Sequence, residues 1–390
     1  MKRSTDRILT TFTGSLARPP DLLEIMQAKE SGRPFDQKAY NGRVSSAVSE
    51  VVHKQVEAGV DIVCDGEQGK SGFYAYVSER LTGFELREVT SRAGPWVGSR
   101  EALAFPEYYQ RYSQGPARSV AAPFGMVCTG PISYKGQAAL RTDIDNLTAA
   151  LRGRQAEEAF MPAISPTNIE GSRRNEYYPT QEAYLYAIAD AMREEYHGIV
   201  DAGFMLQVDD PRLVSYYGSN PGVSLEQCLE WAELRVAVLN HALRDIPPDK
   251  VRFHTCYGIN IGPRIHEVAL KDVVHLLLKI NAGAYSFEAA NPRHEHEWHV
   301  WERVKLPEGK VLIPGVISHT TNIVEHPELV AERIVRFANL VGRENVLAGS
   351  DCGFSSQATT EPEVHPTVVW AKFEAMAEGA RLASKQLWEQ

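Results

Sequence analysis

The chain has 390 residues, 43% apolar and 23% charged, with a formal net charge of −9 at pH 7. This is ordinary globular composition. The acidic balance and the lack of a basic stripe argue against a nucleic-acid partner, and no apolar run approaches the ~18 residues of a membrane span. The opening stretch MKRSTDRILTTFTGS is basic but has no apolar core, so no signal peptide is expected. Five cysteines form an odd, sparse set, which argues for reduced thiols in a cytoplasmic protein and against a disulfide framework. Nothing in the sequence speaks to oligomeric state.

In chain order, short apolar runs alternate with long amphipathic stretches. Strands are expected at 8–13, 61–65, 126–129, 204–208, 251–255, 284–287, 310–316 and 345–349. Helices are expected between most of them, for example at 47–58, 181–202, 225–243, 266–280 and 327–341. Strand–helix alternation predicts a parallel sheet, and eight such strands predict a single α/β domain over 1–390, a (β/α)8 TIM barrel with insertions around 83–118 and 135–180. A further run, 160–164, is assigned to the second insertion. A doubly wound open sheet is the alternative, but Thr13-Gly14-Ser15 is too short for a Gly-rich phosphate turn.

Each expected strand ends in small or polar residues. In order these are Thr13-Gly14-Ser15, Asp65-Gly66-Glu67, Thr129-Gly130-Pro131, Asp209-Asp210, His254-Thr255-Cys256, Glu288, Ser318-His319-Thr320 and Ser350-Asp351-Cys352. A barrel builds its active site at the carboxyl ends of its strands. His254 and Cys256 are two apart, so on a strand they share a face. With Glu288 and Cys352 from later strands they supply the imidazole, thiolates and carboxylate that zinc prefers, four ligands making a tetrahedron. The alternative is that both cysteines are small buried hydrophobes.

Several motifs then become recognisable: TTFTGSLARPP (10–20), DIVCDGEQGKSGF (61–73), CTGP (128–131), LQVDDP (206–211), HTCYG (254–258), SFEAANPRHEHEW (286–298), KVLIPGVISHTTN (310–322) and GSDCGF (349–354). In this order they resemble the catalytic carboxyl-terminal barrel of the cobalamin-independent methionine synthase family. The likeness is greatest to short single-barrel members, among them epoxyalkane:coenzyme M transferases. The resemblance implies a zinc-dependent thiol alkyltransferase, with methyl transfer to homocysteine as first choice. Position by position, it implies that His254, Cys256, Glu288 and Cys352 hold zinc and that Ser15, Glu67 and Asp209 hold the thiol substrate, the two carboxylates pairing with its ammonium group. His319, one position from the family's seventh-strand-loop histidine, is the candidate general acid; the alternative is packing beside the Thr320–Thr321 turn. The acidic pair Asp209-Asp210 replaces the usual Asp-Glu, and the first is expected to face inward. The alkyl donor is not identified: a folate, a corrinoid protein and an epoxide all remain open.

Other motifs carry no such chemistry. GEQGKS (66–71) lacks the first glycine of a phosphate loop. PRHEHEWHVWE (292–302) is not HExxH; His294 and His296 face different sides of a helix start and are read as structural. Competing functions are a coenzyme M-type epoxide-opening thiol transferase, a metal-free porphyrinogen decarboxylase-like barrel, and a non-catalytic zinc-stabilised module. A sulfonate would need Arg or Lys, for which Arg18, Lys70 and Arg293 are the candidates.

Overall fold

The computed structural model describes residues 1–87, 96–113, 120, 125–259 and 261–389. Its strands in chain order are β1 (Ile62–Val63), β2 (Phe84–Leu86), β3 (Met126–Cys128), β4 (Glu158–Ile164), β5 (Arg174–Asn175), β6 (Met205–Asp209), β7 (Val251–His254), β8 (Ala284–Phe287), β9 (Val311–Ile317) and β10 (Gly349–Ser350). Seven form one sheet in the order β1-β4-β6-β7-β8-β9-β10, every pair parallel. Residues 8–13 join its two edges. Thr11 N donates to Ala348 O at 2.8 Å, Ala348 N to Leu9 O at 2.9 Å and Ile62 N to Thr10 O at 3.0 Å. The result is a curled parallel sheet of seven strands whose edges an extended segment bridges, the barrel-like α/β class that the alternation predicts.

Strands β6, β7, β8 and β9 are buried along their whole length; β9 accordingly reads as an unbroken apolar run, while β6 and β7 bury Gln207, Arg252 and His254 among their apolar residues. The helices form where the apolar periodicity meets a cap. Thr180 accepts from Ala183 N at the start of the helix Gln181–Asp201. Ser224 and Gln227 form a reciprocal capping box at Leu225–Ala242. Pro327 opens Pro327–Val341 at the position where its missing N–H costs nothing.

The third barrel strand differs from expectation. Phe160–Ile164, assigned to an insertion, belongs to β4, which pairs with β1 (Val63↔Ala159) and β6 (Phe160↔Met205 to Ile164↔Asp209). Met126–Cys128 lies instead in a separate three-stranded sheet, antiparallel to β2 and parallel to β5. Both are short apolar runs, and only tertiary register separates them. The stretch 135–180 is therefore not an insertion as a whole: it contains the helix Gln137–Leu151 and a barrel strand. The chain makes its excursion between β1 and that helix. Part of the expected 83–118 insertion lies outside the described residues; the rest includes β2 and the helices Arg100–Ala104 and Pro106–Ser113. This excursion meets the loops after β6 and β7, where Arg100 Nε donates to Tyr217 O at 2.9 Å and Glu101 accepts from His266 N at 2.6 Å. Among the described residues no helix is long and apolar enough to cross a membrane.

Candidate functional site

Strand β7 sends Arg252, His254 and, just beyond its end, Cys256 to one face, as the two-residue period requires. Arg252 lies below the site, 3.9 Å from the Phe160 ring centroid, donating to Thr11 Oγ1 at 3.0 Å and Phe12 O at 3.1 Å. His254 Nδ1 lies 3.1 Å from Ser286 Oγ on β8, and its Nε2 is buried with no hydrogen-bond partner. Burial first, then the charges of Arg252 and His319, pull His254 down to about 3, so its imidazole is neutral. Cys256 Sγ sits 3.1 Å from Cys352 Sγ, which follows β10. Contact with Cys256 and then burial push the Cys352 thiol up. Ligand atoms of His254, Cys256 and Cys352 all lie within 4.8 Å of one another. A neutral imidazole with an unmatched buried nitrogen beside two thiols is a donor set that fits a thiolate-preferring divalent ion such as zinc.

Glu288 is not grouped with these three. Its Oε1 accepts from Tyr257 N at 2.9 Å, and its Oε2 accepts from Arg264 Nη2 at 2.6 Å and Asn291 Nδ2 at 2.7 Å. It forms a second cluster with His319 and Asp351. Asp351 accepts from the Ala289 and Ala290 amides, each at 2.7 Å, and from Asn291 at 2.9 Å.

Glu67 and Asp209 line one small pocket together with Lys70, Tyr76 and Pro162. Glu67 stands at φ +57°, after Gly66 at +65°. A non-glycine residue in this region is uncommon and is held by its surroundings; here Asp65 accepts its N–H at 3.0 Å. Its Oε2 is buried without a hydrogen-bond partner, and Arg18 lies 3.8 Å away. Burial first, then Glu67, raise Asp209 well above the usual carboxylate range, with Gln207 opposing through a 2.9 Å hydrogen bond. Asp210 is turned elsewhere: it accepts from Asn168 Nδ2 at 2.9 Å and from Leu213 N at 3.0 Å. Lys70 Nζ donates to Pro162 O at 2.6 Å and lies 4.4 Å from the Tyr76 ring centroid.

Ser15 is packed against the loop that carries Cys352. Its carbonyl accepts from Phe354 N at 2.9 Å, its Oγ from Ser355 N at 3.4 Å. The approach requires glycine at 353, because a Cβ there would collide with Ser15 Oγ. His319 is buried, with Nε2 3.3 Å from Gly258 O and Nδ1 unpartnered. Burial first, then Arg264, pull it down to about 4. A carbonyl facing Nε2 selects the tautomer protonated there, so resting His319 is neutral and offers Nδ1 as an acceptor.

The sequence did not single out Arg264, which no periodicity or motif marks. His294, read as structural, is buried between Glu267 and Glu297, each at 2.8 Å, while His296 is exposed.

Fold and site together define a class: a parallel β/α barrel with two thiols, an imidazole and paired carboxylates at the carboxyl ends of its strands. The chain belongs to the family described as the catalytic domain of cobalamin-independent synthase, whose profile matches residues 8–157 and 167–372. It is similar to a methionine synthase of Sulfolobus acidocaldarius, 25% identical over 346 residues that cover 88% of this chain and 85% of the relative. A methionine synthase of Saccharolobus solfataricus is 23% identical over 387 residues, 97% of this chain and 95% of the relative. The fold of this chain is similar to that of a B12-independent methionine synthase from Shewanella sp. W3-18-1, solved in complex with selenomethionine, with a TM-score of 0.72 at 20% identity, covering 98% of this chain and 100% of the other.

Proposed function

We propose that this chain is a zinc-dependent methyltransferase that converts homocysteine to methionine without cobalamin. The observation that carries this reading is the convergence of His254, Cys256 and Cys352 at the mouth of a barrel of this family. Zinc, when bound, supplies the Lewis acidity that keeps a substrate thiol ionised at neutral pH. The neutral imidazole and the two cysteines hold it. Glu67, with its unmatched carboxylate oxygen, and Asp209 receive the substrate's ammonium group, which lowers the cost of placing two carboxylates in one pocket. Ser15 borders the same mouth and meets the substrate carboxylate. His319 serves the donor side: it delivers a proton to the leaving group only after taking one up at Nδ1. The related Shewanella protein was solved with selenomethionine, which has the shape of such a product. Five free thiols and a reaction that needs a thiolate suit the reducing cytoplasm.

A second reading is favoured by one observation. Lys70 lines the pocket with Glu67 and Asp209 and supplies a positive charge that a sulfonate or carboxylate would meet. In that reading the chain opens an epoxide with a coenzyme M-like thiol. Titration of zinc-loaded protein with homocysteine, its des-amino analogue and 2-mercaptoethanesulfonate separates the two. Tightest binding of homocysteine supports methyl transfer to an amino-acid thiol; tightest binding of the sulfonate overturns it in favour of the second reading.

A further inference from the structure

We propose that Arg212 is an oxyanion-binding residue at the carboxyl end of β6 and that it takes a carboxylate of the second substrate, so that the alkyl donor is an acidic small molecule. The inference rests on the methyl-transfer reading above for which substrate comes second. It narrows by charge a donor that the sequence leaves open between a folate, a corrinoid protein and an epoxide.

Arg212 follows the Asp209-Asp210-Pro211 end of β6 and opens the helix Arg212–Ser219. Asp209 lines the pocket with Glu67, and Asp210 is spent on Asn168. Arg212 is half-buried, yet no hydrogen bond or ion pair reaches it from the described residues, and its Nε is buried without a partner. Aromatic rings hold it instead. Its guanidinium carbon lies 5.5 Å from the Tyr216 centroid and 5.7 Å from that of Trp231, two rings stacked 3.8 Å apart. Such rings fix a guanidinium and leave its N–H donors unspent. The guanidinium also lies against Gly171, where any Cβ would strike it. Nearby arginines are occupied: Arg235, 4.3 Å from the Trp231 centroid, is paired with Glu170 at 2.7 Å, and Arg173 donates to Tyr74 O at 2.9 Å. Arg212 shares the rim with the candidate metal site. The Tyr74 hydroxyl, 3.4 Å from Asn168 Oδ1, is pushed up to about 12 by burial, with Arg212 opposing and Asp210 and Cys256 adding. In the reading above, Glu67, Asp209 and Ser15 already match the ammonium and carboxylate groups of the thiol. The uncommitted guanidinium is left for the other substrate. Its planar fork fits a carboxylate through two parallel hydrogen bonds, and it repels a cationic donor.

The test is calorimetric titration of zinc-loaded protein with methylated folate and with its diester, which keeps the ring system and has no free carboxylate. The wild type should bind the acid ~10–100-fold more tightly than the diester, the range expected for hydrogen bonds between charged groups. Arg212→Gln should bind acid and diester alike, with homocysteine affinity and zinc content unchanged. Arg212→Lys keeps the charge without the fork and should fall between the two. Equal binding of acid and diester by the wild type, binding of neither, or an undiminished preference in folded Arg212→Gln overturns the proposal. Should Arg212→Gln not fold, an undiminished preference in Arg212→Lys overturns it instead. Homocysteine titrated into the same preparations reports separately on the reading beneath. If the acid is preferred and Arg212→Gln loses the preference, but homocysteine does not bind, the methyl-transfer reading falls and the oxyanion site stands. If homocysteine binds and acid and diester do not differ, only the present inference falls.

Discussion

Cys256 and Cys352 are the residues on which the candidate metal site stands, and each contributes one of two thiols 3.1 Å apart. Cys256→Ala and Cys352→Ala should each lower zinc affinity by more than the ~100-fold that marks the upper end for an outer-shell partner, with the far-ultraviolet circular dichroism unchanged because both lie beyond strand ends. Zinc content after dialysis against a chelator checks this. On the substrate side, Glu67 and Asp209 differ in their surroundings: Glu67 has a bare oxygen, while Asp209 leans on Gln207. Glu67→Gln and Asp209→Asn should weaken homocysteine by ~10–100-fold, the worth of one hydrogen bond to a charged group, and should leave the des-amino analogue almost unaffected. Calorimetric titration of both thiols reads the difference. These residues were legible because chemistry at strand ends leaves a mark in sequence: HTC, DGE, VDD and SDC each follow an apolar run. Arg264 left none. It is one arginine in an irregular loop, and only the fold brings it 2.6 Å from Glu288.

At the scale of elements, the capped helices Gln181–Asp201, Leu225–Ala242 and Pro327–Val341 stood where the periodicity put them, while the helix expected at 47–58 begins at Gln37, behind the Asp36 cap, and one barrel strand was misplaced. The runs around 126–129 and 160–164 are alike in length and composition, and the choice between them depends on pairing with β1 and β6, which no local signal carries. The assignment has an energetic consequence. Phe160 is fully buried in β4, between Phe12 and Arg252. Phe160→Ala should cost ~3–5 kcal/mol of stability, whereas Met126→Ala, at the half-buried start of β3, should cost less than ~2 kcal/mol; chemical denaturation compares them. The short 3-10 helix Glu295–Glu302 and its leading His294 give a pH signature. Burial alone would lower His294, but the hydrogen bonds it donates to Glu267 and Glu297 outweigh it and raise it from 6.5 to about 9. A raised pKa means that the folded state binds the proton more tightly. Its stabilisation is therefore complete below pH 6.5 and lost as pH rises through 9. The wild type should lose up to about 3 kcal/mol across that window, and His294→Gln should flatten this alkaline limb in denaturation curves taken at a series of pH values.

For the whole molecule, the sheet brings residues spread from Ser15 to Cys352 to one rim, the carboxyl ends of its strands, where the proposed function has a thiol substrate and a metal meet. The excursion after β1 reaches over to the loops after β6 and β7, where it borders the same rim. In the proposed function this rim methylates homocysteine with zinc and without cobalamin. The most direct measurement is product mass from homocysteine and a methyl-donor panel of methylated folate and a methylated corrinoid, with zinc-loaded and chelator-stripped protein in parallel. The zinc-loaded protein should form methionine with at least one donor, and the stripped protein none until zinc is restored. Methionine formed equally well by the stripped protein, or none from the zinc-loaded protein while an epoxide and 2-mercaptoethanesulfonate give a thioether, would contradict it.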